Sequence, residues 1–334
     1  MIDALVIGAG QAGLATAHAL RTAGVVPVVL EAGPEPVGSW PSYYDSLTLF
    51  SPARYSALPG LPFPGDLDRY PGRDDVVDYL RRYAKNLDAD IRVGHRVRSV
   101  RRDGDGWEVA TDDSALRARI VVCASGYFGR PHRPPLPGFT GTVLHSSDYR
   151  EPSPFAGQRV VVIGAGNSAV QIAADLAPHA RVTLASRTPV RFVPQRPLGR
   201  DVHFWSTRSG VDALPIGPLL RDPPSSPVLD DGRYQRAVTD RRPLHTAADG
   251  TRLTWPDGTS EHVDTVILAT GYRPDLPYLA DPGQPRRGLS VHPGLGFVGM
   301  EWQRSLASAT LRGVGRDARY VVKRLLRRTA GSSR

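Results

Sequence analysis

Two stretches of the 334-residue chain have a spacing that lets backbone, and not side chains, do the binding. Residues 4–13 read Ala-Leu-Val-Ile-Gly8-Ala-Gly10-Gln11-Ala12-Gly13. Residues 160–169 read Val-Val-Val-Ile-Gly164-Ala-Gly166-Asn167-Ser168-Ala169. In each, an apolar strand runs into a GxGxx(G/A) turn that opens an alanine-rich helix, Gly13–Ala23 and Asn167–Ala177. The first glycine allows the tight turn, and the second lets backbone approach a pyrophosphate. The third brings helix and strand together, and alanine is accepted there. Amides at the helix N-terminus, aided by the helix dipole, then hold the anion.

The two copies differ where the ribose is read. Glu31 follows Gly8 by 23 positions, at the end of the run Val26–Leu30, and Arg187 follows Gly164 by the same 23, after Arg181–Ala185. An acid there accepts hydrogen bonds from ribose hydroxyls, whereas an arginine pairs with a 2′-phosphate. The pattern therefore predicts two dinucleotides, one phosphorylated at that ribose and one not. FAD at the first copy and NADPH at the second are the economical pair. A plain solvated arginine is the alternative for Arg187.

The elements that must position these turns follow from the rest of the chain. Its length suffices for two domains with cores of their own. Asp74–Leu87 has helical periodicity, with Val76, Val77, Leu80 and Tyr83 on one face. Ile91–Val100, Gly106–Ala110 and Leu116–Ala124 pattern as strands. A proline-rich passage from Ser125-Gly126-Tyr127 to about Gly157 marks a crossing between domains. The second unit starts at Gln158, carries a weakly patterned insert at Pro194–Pro227, a helix at Asp231–Ala237 and a hairpin signal at Trp255-Pro-Asp-Gly258. Its strand Thr265–Thr270 ends in Gly271-Tyr272, echoing Gly126-Tyr127, so a matched return crossing is expected, with Gly296–Leu326 closing the first domain. The expected fold is α/β: two nested, three-layer, Rossmann-like dinucleotide-binding domains. Residues 1–150 plus 270–334 would bind FAD and 151–269 NADPH.

Composition narrows the function. The single cysteine, Cys123, lies in an apolar run, so neither a disulfide nor a redox-active thiol pair can form within the chain. This argues against disulfide reduction. The N-terminus enters a strand at once and no run reaches the ~20 apolar residues of a membrane span. A cytoplasmic protein is expected, with no membrane partner. The net charge of +9 comes almost wholly from dispersed arginine, with Lys85 and Lys323 the only lysines. No basic cluster interleaved with aromatics points to nucleic acid. Arg312–Arg328 reads as a helix with an apolar stripe (Val314, Ala318, Val321, Leu325) and a solvated basic face. No metal-ligating spacing occurs.

Between the two units lies Phe139-Thr-Gly141-Thr-Val-Leu-His145-Ser-Ser-Asp-Tyr149, which matches the FxGxxxHxxx(aromatic) signature of class B flavin-dependent monooxygenases. With Ala269-Thr270-Gly271-Tyr272, the whole chain resembles the flavin-containing monooxygenases. Trp40–Ala84 is most similar to the YUCCA-type, indole-pyruvate-oxidising branch through Tyr44-Asp45-Ser-Leu47, Leu58-Pro59, Pro62-Phe63-Pro64 and Tyr79-Leu80. The resemblance implies bound FAD reduced by NADPH, a flavin hydroperoxide formed with O2 and shielded by NADP⁺, and a small-molecule substrate. It implies that Glu31 binds the FAD ribose, that Gly38, Ser39 and Trp40 approach the flavin, and that the Val97 backbone meets the adenine. Trp302–Leu311 would close over the flavin, and His145 would organise the domain crossing. Homodimerisation stays open.

The sequence also departs from the family. Arg150 after Tyr149 argues against the Baeyer–Villiger branch. Phe50 stands where amine- and sulfur-oxidising relatives carry an asparagine that contacts the hydroperoxide. No side chain is singled out as catalytic, since the cofactor carries this chemistry. Besides a monooxygenase, two readings remain: a reductase passing electrons to a quinone, metal or protein acceptor, and a redox-sensing flavoprotein.

Overall fold

The computed structural model describes residues 1–126, 128–221, 227–283 and 285–331. The first half of the chain gives β1 (Ile2–Ile7), α1 (Gln11–Thr22), β2 (Val28–Leu30), α2 (Arg73–Lys85), β3 (Asp90–Arg92), β4 (Val97–Asp103), β5 (Gly106–Thr111), β6 (Ala115–Cys123), β7 (Arg130–Pro131) and β8 (Thr142–His145). Then follow β9 (Arg159–Ile163), α3 (Asn167–Leu176), β10 (Arg181–Ser186), β11 (Phe192–Pro194), α4 (Val202–Ser209), β12 (Val228–Asp230), α5 (Arg233–Ala237) and β13 (Arg241–Pro243). The chain ends with β14 (Ala247–Asp249), β15 (Arg252–Thr254), β16 (Ser260–His262), β17 (Thr265–Leu268), β18 (Tyr272–Arg273), β19 (Leu295–Phe297) and α6 (Leu311–Gly331).

Two large sheets result. The first has the order β3-β2-β1-β6-β5-β4, with β19 pairing β6 in parallel. Its centre is parallel, and β4 and β5 extend it antiparallel. Successive strand residues face opposite sides. Ala4 and Val6 therefore pack under Leu14, Leu20, Leu80 and Val321 of the helices, while Leu5 and Ile7 meet Val97, Trp107 and Val109. Burial on both faces is why β1 reads as an unbroken apolar run. The second sheet, β13-β10-β9-β17-β8, is parallel throughout. One face of it is covered by α3 and α5, the other by the β14–β15–β16 meander through Leu253 and Trp255.

The α/β architecture of paired Rossmann-type units is thus the expected one. Details differ. Ile91–Val100 is two strands and not one, because Gly94 (φ +73°) turns the chain and sends β3 and β4 to opposite edges of the sheet. Thr142–His145, grouped from the sequence with the first unit, pairs with β17 in the second sheet. The Pro194–Pro227 insert contains an ordered helix, α4, capped by the Asp201 side chain accepting from the His203 amide at 2.8 Å. Its residues 222–226 lie outside the described residues, as does Tyr127.

The two crossings are joined as their matched sequences suggest. β7 pairs antiparallel with β18, and the His132 amide donates to the Gly271 carbonyl at 2.9 Å. The hairpin at Trp255–Gly258 connects β15 to β16, with Gly258 at φ +82°. Helix α6 buries Val314, Ala318, Val321, Val322 and Leu325 against α1 and the first sheet. Each of these valines and the leucine contributes roughly 1.5–3 kcal/mol on full burial.

Candidate functional site

The first glycine turn sits between the C-terminal ends of β1 and β2. Gly8 (φ +98°) and Gly13 are required by the fold itself. A Cβ on Gly8 would lie 2.7 Å from the Ala124 carbonyl oxygen, and one on Gly13 only 1.7 Å from that of Gly8. Gly10 is different. Its backbone is extended (φ −74°, ψ −172°), and a Cβ there would meet nothing nearer than the Gly38 Cα at 3.6 Å. As N-cap of α1, Gly10 supplies no side-chain acceptor to the first-turn amides. Glu31, buried at the end of β2, accepts from the Ala9 amide at 2.6 Å and from the Gly33 amide at 2.8 Å. Each oxygen keeps capacity for a further donor.

Residues that the sequence placed around this turn are gathered there. Gly38 abuts Gly10, and Trp40 Nε1 donates to Gln11 Oε1 at 2.8 Å. Ser39 and Tyr43 share a hydroxyl–hydroxyl bond at 3.0 Å. Ala12 is buried, facing Gly299. Val97 starts β4 on the face shared with Ile7 and Leu30, beyond the segment where the His95 amide donates to the Glu31 carbonyl at 2.8 Å.

The second turn repeats the arrangement between β9 and β10. A Cβ on Gly164 would meet the Ala269 oxygen at 2.4 Å. Around Gly166, extended at φ −94°, a Cβ would meet nothing within 4 Å. Asn167 begins α3, which again has no side-chain cap, and Ser168 neighbours Tyr44 of the first unit. Arg187 is exposed immediately beyond β10, with no ion-pair partner among the described residues.

Gly10 and Gly166 thus hold glycine where neither their own conformation nor the packing demands it. A ligand that must touch backbone does demand it. Open space over uncapped helix N-termini, with an acid beside one turn and an unpaired guanidinium beside the other, is a donor set that fits two dinucleotide pyrophosphates.

The seam between the units was only partly legible in sequence. His145 is fully buried after β8. Its Nδ1 accepts from the Ser147 amide at 3.1 Å, and its Nε2–H donates to the Gly271 carbonyl at 3.1 Å. Burial lowers its pKa. Trp40, Tyr43, Phe128, Tyr272 and His145 form a run of edge-to-face contacts, with successive centroids 5.5, 5.9, 5.0 and 5.0 Å apart, that crosses from the first turn to the second unit. Gln171 of α3 accepts from Tyr44 Oη and from the Thr48 amide, and donates to the Thr48 carbonyl at 3.0 Å. The segment ending in Phe50 is therefore held against the second turn. Phe50 in turn stacks on His203 of α4, at 5.9 Å and 24°. Nothing in the periodicity of residues 194–227 signalled that contact, because it is made by a short helix between prolines.

Cys123 is buried and its thiol pushed up to about 12 by burial. No group of three metal-ligating side chains occurs among the described residues. No helix among them is long and apolar enough to cross a membrane.

Two sheets with parallel centres, each carrying a glycine turn over an uncapped helix and a charged residue after its second strand, are the architecture of a paired-Rossmann protein. The profile of the family described as pyridine nucleotide-disulphide oxidoreductase matches residues 5–202. An uncharacterised CzcO-like oxidoreductase of Geobacillus kaustophilus is 31% identical over 98% of this chain and 99% of its own length. The indole-3-pyruvate monooxygenase YUCCA1 of Oryza sativa is 32% identical, over 87% of this chain and 82% of its own. The structure of a flavin-containing monooxygenase from Stenotrophomonas maltophilia superposes with a TM-score of 0.85 at 32% identity, covering 98% of both chains. The chain belongs to the class B flavin-dependent monooxygenase family. It is an oxidoreductase of the monooxygenase type.

Proposed function

We propose that the protein is an FAD-dependent, NADPH-consuming monooxygenase acting on a small organic substrate. The observation that carries this is the pair Gly10 and Gly166, two glycines with no structural reason to be glycine, each over an uncapped helix N-terminus. FAD would be held by Gly8, Gly10, Gln11, Ala12 and Gly13, with Glu31 on its ribose, Gly38, Ser39 and Trp40 near the ring, and Val97 near the adenine. NADPH would be held by Gly164, Gly166, Asn167 and Ser168, with Arg187 on the 2′-phosphate. These assignments divide the chain into a discontinuous FAD unit, about 1–150 with 270–334 but without β8, which pairs in the second sheet, and an NADPH unit between them. When bound, the flavin would take two electrons from NADPH and activate O2, one oxygen atom going to substrate and the other to water.

The chain's own part is to orient and to keep water out. His145, with both ring nitrogens committed to backbone, fastens the crossings and does not act as a base. The aromatic run from Trp40 to Tyr272 ties the first turn to the second unit by edge-to-face contacts, with Phe128 at its solvent side. No thiol pair exists to carry electrons to a disulfide, despite the matching family's description.

The test is the fate of oxygen. With 18O2 and NADPH, a screen of amines, thioethers and α-keto acids should give a product carrying one labelled atom per NADPH consumed. NADPH consumption that follows an added quinone or ferric acceptor, with no labelled product, would replace the monooxygenase with a reductase.

A further inference from the structure

His203 is the one seam histidine whose ring is committed on a single side. Its Nδ1 lies 2.7 Å from Asp201 Oδ1, and a carboxylate can only accept, so Nδ1 carries the hydrogen. Asp201 is itself fixed. Its Oδ1 also accepts from the His203 amide at 2.8 Å, and its Oδ2 accepts from Tyr70 Oη at 2.5 Å and Gln195 Nε2 at 2.7 Å. Gln195 further ties this cluster to the Phe50 carbonyl at 3.3 Å. The imidazole stacks on Phe50 and on Tyr55, at 6.1 Å and 28°. Ring orientation is thus set by a carboxylate from the insert and by two aromatic rings from the first unit.

Nε2 is left over. It has no partner among the described residues, yet it is not among the buried side-chain atoms that are walled in without one, which include Asp212 Oδ1 and His245 Nδ1. The ring as a whole is only 3% exposed. A buried imidazole held on one nitrogen, with the other neither bonded to protein nor walled in, is a spare acceptor beside Phe50 and Tyr55, because the Nδ1–H tautomer puts the lone pair on Nε2.

We propose that His203 Nε2 is the substrate-anchoring acceptor of this enzyme. It takes the hydrogen bond of an O–H or N–H group carried by an apolar, planar substrate, since the surfaces beside it are Phe50 and Tyr55. The inference rests on the monooxygenase reading for the word substrate, and on the geometry alone for the site. It places substrate selection on α4, a helix of the insert, and makes selection depend on the two units being closed on each other.

Diethyl pyrocarbonate acylates unprotonated, accessible imidazole nitrogens, and peptide mass mapping reports each histidine separately. In enzyme loaded with FAD and NADP⁺, His203 should be labelled, while His145, with both nitrogens bonded, should not. Saturating indole should slow labelling of His203 at least fivefold, and 1-methylindole, the same body without the N–H, should not. His203→Phe keeps the ring stack and removes the acceptor. It should retain its flavin and its melting temperature and lose the difference in affinity between the two probes. If His203 is as unreactive as His145, or if the probes protect equally or not at all, the proposal is wrong. Should His203→Phe fail to fold, Asp201→Ala serves, because removing the acceptor of Nδ1–H frees the ring and should abolish the discrimination between probes. Labelling requires neither turnover nor oxygen. A missing oxygenated product would therefore overturn the monooxygenase reading and leave this result standing.

Discussion

Gly38 and Gly10 touch backbone to backbone, and the contact is asymmetric. A Cβ on Gly38, which sits at φ +60°, would lie 2.7 Å from the Gly10 Cα, whereas a Cβ on Gly10 would pass the Gly38 Cα at an ordinary 3.6 Å. One of the two is glycine for the fold. The other has room for a side chain.

This separates folding from binding by single methyl groups. Gly10→Ala should fold with a melting temperature close to that of the parent and lose most of its FAD. Gly13→Ala, whose methyl would meet the Gly8 oxygen, should not accumulate as folded protein. Gly166→Ala should keep its flavin and bind NADPH at least tenfold more weakly. Flavin absorbance per polypeptide and a thermal melt read all three. Full flavin retention by Gly10→Ala would mean that the pyrophosphate lies elsewhere.

Arg187 is tested by coenzyme choice. Exposed and unpaired at the end of β10, it has no structural duty that its removal would disturb. Arg187→Ala should weaken NADPH by about 1–3 kcal/mol, the worth of a charge-assisted hydrogen bond, and leave NADH nearly unchanged. Equal losses for both coenzymes would return Arg187 to the solvated surface.

The turns were legible because their glycine spacing is dictated by local backbone geometry and by a short loop, which sequence records directly. The parallel strands were legible because burial on both faces leaves continuous apolar runs such as Val160–Ile163. Gly94 broke an otherwise strand-like run, and only a left-handed φ, invisible in hydropathy, separates β3 from β4. The stacking of His203 on Phe50 joins residues 153 positions apart, one in a loop and one in a short helix. Neither segment has a period that encodes its partner. Such contacts belong to the meeting of two surfaces, and pattern within either surface cannot show them.

His145 gives a pH dependence with a definite sign. Burial holds its folded-state pKa below the usual histidine value, so the unfolded chain binds the proton more readily. Its contribution to stability is complete above the unfolded pKa of about 6.5 and is lost as pH falls from there toward the lower folded value. His145→Gln can still donate to Gly271 and cannot be protonated. The drop in melting temperature between pH 7.5 and 5.5 should therefore be smaller in the variant. An unchanged drop would show that other groups govern acid sensitivity.

Arg159 tests whether the second unit has a structural keystone remote from its cradle. It lies at the start of β9, at the opposite end of that strand from Gly164, and its side chain is only 7% exposed. Its Nε donates to Glu261 Oε2 at 2.7 Å, one terminal nitrogen to Glu261 Oε1 at 2.8 Å and Thr183 Oγ1 at 2.5 Å, and the other to the Arg181 carbonyl at 2.9 Å. Trp255 Nε1 also donates to Glu261, at 2.8 Å, which links the meander to the sheet. Removing the cation leaves the partly exposed Glu261 and Asp240 to share Arg242 alone, and leaves Thr183 and the Arg181 carbonyl without their donor, a loss of about 1–3 kcal/mol. Arg159→Met should lower stability to urea by that order, and adding Glu261→Gln should recover part of the loss, because Arg242 then faces one carboxylate and not two. NADPH affinity in the protein that remains folded should be unaltered, since the cluster is a strand's length from the turn. A loss of NADPH binding without a loss of stability would mean that Arg159 serves the cofactor and not the fold.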